Sequence, residues 1–195
     1  MNMVDLTLLQ SVSYIAGALG VCVAAVFYVL NLRISQVNMK ANTETRQFQL
    51  LMQLSGPQLT KEGFRTFLEF VSMEWKDYDD FEKKYGSDAN PESLVVRDFI
   101  GTWYNKAGLL LRYGMIDGEL LYDFLGYDSI SLWNKYGEIV RTQRKLYSVP
   151  EMYRDWGYLY DEMVKIATRR GLDTKKTQEP TYTDELRRKL AAKST

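Results

Sequence analysis

The sequence predicts an all-α protein in which one N-terminal transmembrane helix extends into a cytoplasmic helical bundle. Three observations predict it. Residues 6–32 form 27 consecutive positions without a charge, more than the ~20 apolar residues a helix needs to cross a bilayer core. Beyond them, apolar side chains recur at helical spacing between recognisable caps. Nowhere does a convincing period-two pattern mark a strand.

The formal charge is zero, from 25 basic and 25 acidic residues, but it is unevenly spread. Residues 1–32 carry only Asp5; residues 33–168 are net −3; residues 169–195 hold 8 basic and 4 acidic side chains, net +4. These shifts divide the chain into an anchor at 1–32, a juxtamembrane helix at 33–55, a helical domain at 56–171 and a basic tail at 172–195. There is one cysteine and no histidine. An internal disulfide, a Cys/His zinc site and a histidine general base are therefore excluded. Neutrality argues against a global nucleic-acid-binding field, with a local patch the alternative, and no nucleic-acid partner is expected.

The anchor centres on Val12–Leu30. A cleaved signal peptide would want Lys or Arg ahead of the apolar run, and residues 1–10 have none. Leu19-Gly20-Val21-Cys22 departs from a lipoprotein cleavage box, with valine where a small residue belongs. Arg33, Lys40 and Arg46 follow the span while only Asp5 precedes it, so the N-terminus is expected outside and the remaining bulk in the cytoplasm, at the inner membrane. Ala16, Gly20 and Ala24 fall four apart and form a small-residue ridge of the kind along which membrane helices approach.

The helix should continue into the juxtamembrane segment, where Leu30, Ile34, Val37, Ala41, Glu44, Phe48 and Leu51 alternate four and three apart. This seam is expected to pack on the chain's own domain; a short parallel coiled coil is the alternative. Ser55-Gly56-Pro57 breaks it. Phe64, Phe67, Leu68, Val71 and Trp75 then mark the apolar face of the next helix. Asn90-Pro91-Glu92 starts another with a cap, a proline at the first position and an acid at the positive end of the dipole. Its stripe reads Val96, Ile100, Trp103, Ala107, Leu110 and Leu111, and Gly114 ends it.

Asp117 opens a short helix, 118–125, closed by Gly126. Asp128 or Ser129 opens the next, with Leu132, Trp133, Tyr136, Ile139, Val140 and Gln143 inward. Ser148 and Pro150 start the last, with Tyr153, Trp156, Tyr160, Met163, Val164 and Ala167 inward and Gly171 beyond it. Residues 33–171 hold 22 aromatics, and the core is expected around Trp75, Trp103, Trp133 and Trp156. In the tail, Arg187, Arg188 and Lys189 flank a brief helix that Thr183 would cap. That cluster is read as a solvated run, with anionic lipid headgroups as the alternative contact.

One stretch invites a chemical reading. Asp77, Asp79, Asp80 and Glu82 offer oxygen ligands for a hard cation such as Mg²⁺ or Ca²⁺. An EF-hand loop starting at Asp77 would need glycine where Glu82 stands, so that motif fails. The favoured reading is a capping Asp77 and a solvated turn. No Walker loop, dinucleotide fingerprint or nucleophile elbow occurs, and no cofactor is expected.

The ordered series Trp75-x-Asp-Tyr-x-Asp-Phe-x-Lys-Lys-Tyr-Gly-Ser87, Asn90-Pro-Glu92, Gly108-Leu-Leu-Leu-Arg-Tyr-Gly-Met-Ile-Asp117, Trp133-x-Lys-Tyr136 and Tyr158-Leu-Tyr-Asp-Glu-Met163 resembles a group of prokaryotic single-span membrane proteins known as a domain of unknown function. The resemblance covers roughly residues 10–170. It implies a helical domain behind one N-terminal span and carries no catalytic residues. The resulting expectation is a non-enzymatic, membrane-anchored interaction module. Its partners are lipid and a protein, or a second copy of itself. A self-assembling scaffold and a metal-dependent hydrolase on the acidic stretch are the alternatives.

Overall fold

The computed structural model describes residues 3–174, with side chains from residue 6. It is all-helical, with no strand among the described residues: α1 Met3–Ser55, α2 Lys61–Ser72, α3 Tyr78–Tyr85, α4 Pro91–Arg112, α5 Gly118–Leu146 and α6 Arg154–Arg169. The tail cluster at 187–189 and its Thr183 cap lie outside the described residues. The described residues fall into two compact units, divided between Phe48 and Gln49.

The first unit is α1 up to Phe48. Its uncharged run of 27 residues is roughly 40 Å of helix. Every large apolar side chain from Leu6 to Ile34 is exposed. The hydroxyls of Ser11 and Ser13 donate to the carbonyls of Thr7 and Leu9, each at 2.9 Å. Their polar groups are thus satisfied inside the helix, as an apolar medium demands. Of the juxtamembrane seam, Ile34, Val37 and Phe48 are exposed and only its last member, Leu51, is buried.

The second unit is a bundle of α2–α6 with the last two turns of α1. Local capping chemistry sets most of its boundaries. Thr60 Oγ1 accepts from Gly63 N, Asp77 Oδ1 from Asp80 N, Asn90 Oδ1 from Ser93 N, and Asp117 Oδ1 from Glu119 N and Leu120 N. Gly114, at φ 63°, stops α4: its N–H donates to Leu111 O and the next N–H reaches back to Leu110 O, both at 2.9 Å. Gly171 closes α6 with the same paired bonds. The end of α1 is tied from another helix, since Trp103 Nε1 donates to Leu54 O at 2.7 Å.

Several expected features differ. Gly126 does not stop a helix; α5 runs unbroken from Gly118 to Leu146. A Cβ at 126 would lie 2.5 Å from the Tyr122 ring, so the glycine makes room for that ring. In α2 the buried residues are Gly63, Phe67, Phe70 and Val71, while Phe64 is exposed. Trp75 lies past the helix end, because Met73 turns extended. In α4, Tyr104 rather than Trp103 is fully buried. In α6, Leu159 and Ile166 face inward where Tyr160 and Val164 were expected, and both of those are only partly buried.

The core therefore centres on two tryptophans, not four. Trp156 is fully buried and stacks on Tyr104 at 5.0 Å and 13°. It meets Trp133 edge-on at 5.1 Å and Tyr136 at 6.1 Å. A second cluster gathers Phe81, Trp75, Tyr85 and Phe70 around Tyr136. Edge-to-face and offset pairs of this kind add to plain burial.

α6 begins four residues later than Pro150, and its start is built by α4. Gly101, Asn105 and Gly108 lie on one face of α4, spaced four and three. A Cβ at 101 would sit 2.5 Å from the Tyr153 ring, and one at 108 would sit 1.8 Å from the Asp155 carbonyl oxygen. Between them, Asn105 Oδ1 accepts from Asp155 N at 2.9 Å and Trp156 N at 3.2 Å. This replaces the cap that Tyr153, left-handed at φ 48°, does not supply. Asp155 is buried and paired with Arg112 at 2.7 Å.

The turn from α5 to α6 opens on Ser148, also left-handed at φ 55°. Val149 N returns to Arg144 O at 3.1 Å, the bond that normally accompanies a glycine at this place. Ser148→Gly should therefore stabilise the protein by roughly 0.5–1 kcal/mol, read as a rise in the urea midpoint at constant slope. A loss of stability would show that the serine side chain contributes something beyond its backbone geometry.

Candidate functional site

Beside the α5–α6 turn lies a cavity of about 350 Å³. Arg141 and Arg144 reach it from the end of α5 and Arg154 from the start of α6. Trp133 and Tyr160 form an aromatic wall, their rings 6.3 Å apart. Gly157 lets α6 pack closely on Trp133, because a Cβ there would lie 3.2 Å from Trp133 Cζ2.

The three arginines are held differently. Arg141 Nε donates to Glu138 at 2.9 Å, and Arg154 pairs with Glu151 and, at 3.5 Å, with Asp155. Among the described residues Arg144 has no carboxylate partner. Its Nε donates to Met152 O at 2.9 Å, its guanidinium lies 6.0 Å from the Trp133 ring centre, and its Nη2 is buried without a hydrogen bond. Burial, and then the Arg141 charge, hold its pKa below the usual arginine value while Glu151 opposes them. At neutral pH it remains a cation. An unmatched N–H of a charged group is costly away from water.

A second charged group lies deeper. Arg97 is 3 % exposed, and among the described residues its hydrogen bonds go to neutral oxygens: Ser93 Oγ, Tyr136 Oη and Ser87 Oγ, each at 3.4 Å. Its guanidinium also lies 5.1 Å from the Phe81 ring centre. Burial raises the Tyr136 pKa and the Arg97 charge works against that rise. Neighbouring Tyr153 donates to Asp98 Oδ1 at 2.8 Å, and burial raises its pKa strongly.

The acidic stretch is taken up by local structure. Asp77 caps α3. Asp80 Oδ2 accepts from Lys84 Nζ at 2.7 Å and Lys76 N at 3.0 Å, and those bonds hold its carboxyl below the usual range. Asp79 is exposed, and Glu82 is half-buried with Oε2 unbonded. Among the described residues no three His, Cys, Asp or Glu side chains converge as a metal site. Ala16, Gly20 and Ala24 are exposed along α1, with nothing within 4 Å of a Cβ at Gly20.

Asp128 gives a pH test of the bundle. Burial alone raises its pKa, so its ionised form is less favoured in the folded chain than in the unfolded one. Below the ordinary Asp pKa the group is protonated in both states and has no effect. Stability is lost as pH rises through the folded value. Asp128→Asn should raise Tm by a few degrees at pH 7, and the gain should vanish as pH is lowered to about 4 or below.

Neither Arg97 nor the arginine cavity is among the expectations from sequence. Arg97 carried a signal, its register: it shares a face of α4 with Gly101, Tyr104 and Gly108. Arg141 and Arg144, three apart on one helix, read as solvated surface until the turn brings Arg154 beside them.

These features define a class: an all-α protein whose first helix is long and apolar enough to cross a membrane, followed by a helical bundle. The chain belongs to the DUF4760 family, a domain of unknown function whose profile matches residues 15–163. No curated protein and no solved structure matches it.

Proposed function

We propose that the protein is a single-pass, membrane-anchored helical module of the cytoplasmic membrane that serves a larger assembly as an accessory subunit. One observation carries this reading: the apolar run of α1 is exposed on every side, with none of its apolar window buried. A helix apolar all round is stable only inside a protein or inside lipid. The satisfied hydroxyls of Ser11 and Ser13 support lipid. The family match supports a retained helix over a removable leader, because it begins at residue 15, inside the apolar run. The excess of Lys and Arg after the span supports a cytoplasmic bundle.

The bundle encloses a core of its own, so the apolar run is needed for location and not for folding. Within the membrane, Ala16, Gly20 and Ala24 would form the contact between copies or with a partner helix. The test is fractionation of the full chain and of residues 34–195. Carbonate-resistant membrane association of the first and a soluble, folded second is the expected result. A mature protein lacking the apolar run, or a full chain that carbonate extracts, would overturn the anchor. Native mass in mild detergent then separates a self-assembling protein from a subunit held by other polypeptides.

A further inference from the structure

We propose that two copies of the chain pair in parallel along α1, through one seam that runs unbroken from the lipid into the cytoplasm. This pairing rests on the membrane reading above and names the partner that α1 meets there. α1 is a single helix from Met3 to Ser55. Past the uncharged run, between Arg33 and Phe48, its apolar residues are Ile34, Val37, Met39, Ala41 and Phe48. All but Met39 fall on the line that alternates four and three apart, and Glu44 is the only charged member of that line. Every one of these positions is exposed in the single chain. An apolar stripe on an otherwise polar helix in water calls for a surface that buries it.

Continuity selects a second copy as that surface. Carried back by the same spacing, the line enters the uncharged run in phase through Leu30, Phe27, Val23, Gly20 and Ala16. It takes in two residues of the small-residue ridge, where helices in lipid approach closely, and Ala24 stands beside it. One membrane sets two single-span copies parallel, with each residue level with its own counterpart, so the seam meets itself layer by layer. Ile34 at an a position and Leu30 at a d position favour two strands. The flanking g and e positions, Arg33 with Asn38 and Lys40 with Thr45, set no like charges opposite one another. Because the repeat is seven, the two helices coil left-handed to stay in contact.

Glu44 tunes the pairing. In the single chain its carboxylate reaches back to Lys40 at 3.9 Å. Two such groups facing one another oppose association, so the pair depends on confinement of both copies to one membrane, which raises their effective concentration.

The test is disulfide scanning of the full chain in membranes, with Cys22→Ser as background and copper phenanthroline as oxidant. Ile34→Cys, Val37→Cys and Ala41→Cys should each give a covalent dimer. Ser35→Cys, Met39→Cys and Asn42→Cys, off the seam, should give at least about tenfold less. Glu44→Leu should tighten association of the full chain in density-matched detergent by at least about tenfold, read by sedimentation equilibrium. Crosslinking equal around the helix, or none in a chain that carbonate leaves in the membrane, would overturn the pairing while the anchor stands. A chain that carbonate extracts would overturn both. Association indifferent to Glu44→Leu would put residue 44 outside the contact and overturn the seam.

Discussion

Trp156→Ala should lower the stability of the bundle by about 3–5 kcal/mol, among the largest effects of any single truncation in it. The indole is fully buried and touches rings from three elements: Tyr104 of α4, Trp133 and Tyr136 of α5, and Tyr153 of the turn. Its Nε1 has no hydrogen-bond partner among the described residues. The loss is therefore one of packing, apolar area and the cavity left behind, with no broken polar bond to add. Trp156→Phe keeps part of the stack and removes the unmatched N–H, so about 1–2 kcal/mol is expected. Thermal unfolding in mild detergent, followed by near-ultraviolet dichroism, reads both. Equal losses for the two variants would mean that the ring stack contributes little.

Gly108→Ala has an expected sign opposite to helix propensity. Alanine in place of glycine should favour an isolated α4 by about 1 kcal/mol. Here the added methyl would come within 1.8 Å of the Asp155 carbonyl oxygen, which is backbone and cannot rotate away. Relief requires α4 and α6 to separate by more than an ångström. That shift would loosen the Asn105 cap and the Tyr104–Trp156 stack together. Overpacking of this kind should exceed the propensity gain and cost about 3 kcal/mol net. Urea denaturation measures it, and a stabilised variant would show that the two helices are not in this close register.

How far the fold was legible depends on where each instruction sits. Asp77, Asn90, Asp117, Gly114 and Gly171 act within a few residues of themselves, and they mark helix ends in the structure as their local patterns predict. The start of α6 was misplaced for the opposite reason. Its cap is Asn105, fifty residues upstream, and Pro150 sits in a turn that merely resembles a helix start. Gly126 misled because glycine has two uses, ending helices and admitting close neighbours, and only packing tells them apart. The choice of Tyr104 over Trp103 likewise turned on packing, since the two are adjacent and equally aromatic. Of the site, Trp133 was read correctly as inward. The arginines became a group only once the left-handed residues Ser148 and Tyr153 had shaped the turn.

The loan of a cap from α4 to α6 also has a temporal consequence. A peptide spanning α6 alone holds neither the acceptor for Asp155 N and Trp156 N nor the groove that seats Tyr153, so its first turn has no nucleus of its own. That turn can order only after residues fifty positions away have formed a helix, a closure that the chain must make late. The same order runs in reverse during opening. The amides of Asp155 and Trp156 should exchange with solvent deuterium by release of this turn from Asn105 while α4 stays formed, ahead of the amides in the middle of α4. The beginning of α6 is then among the last parts of the molecule to be made and among the first to let water in.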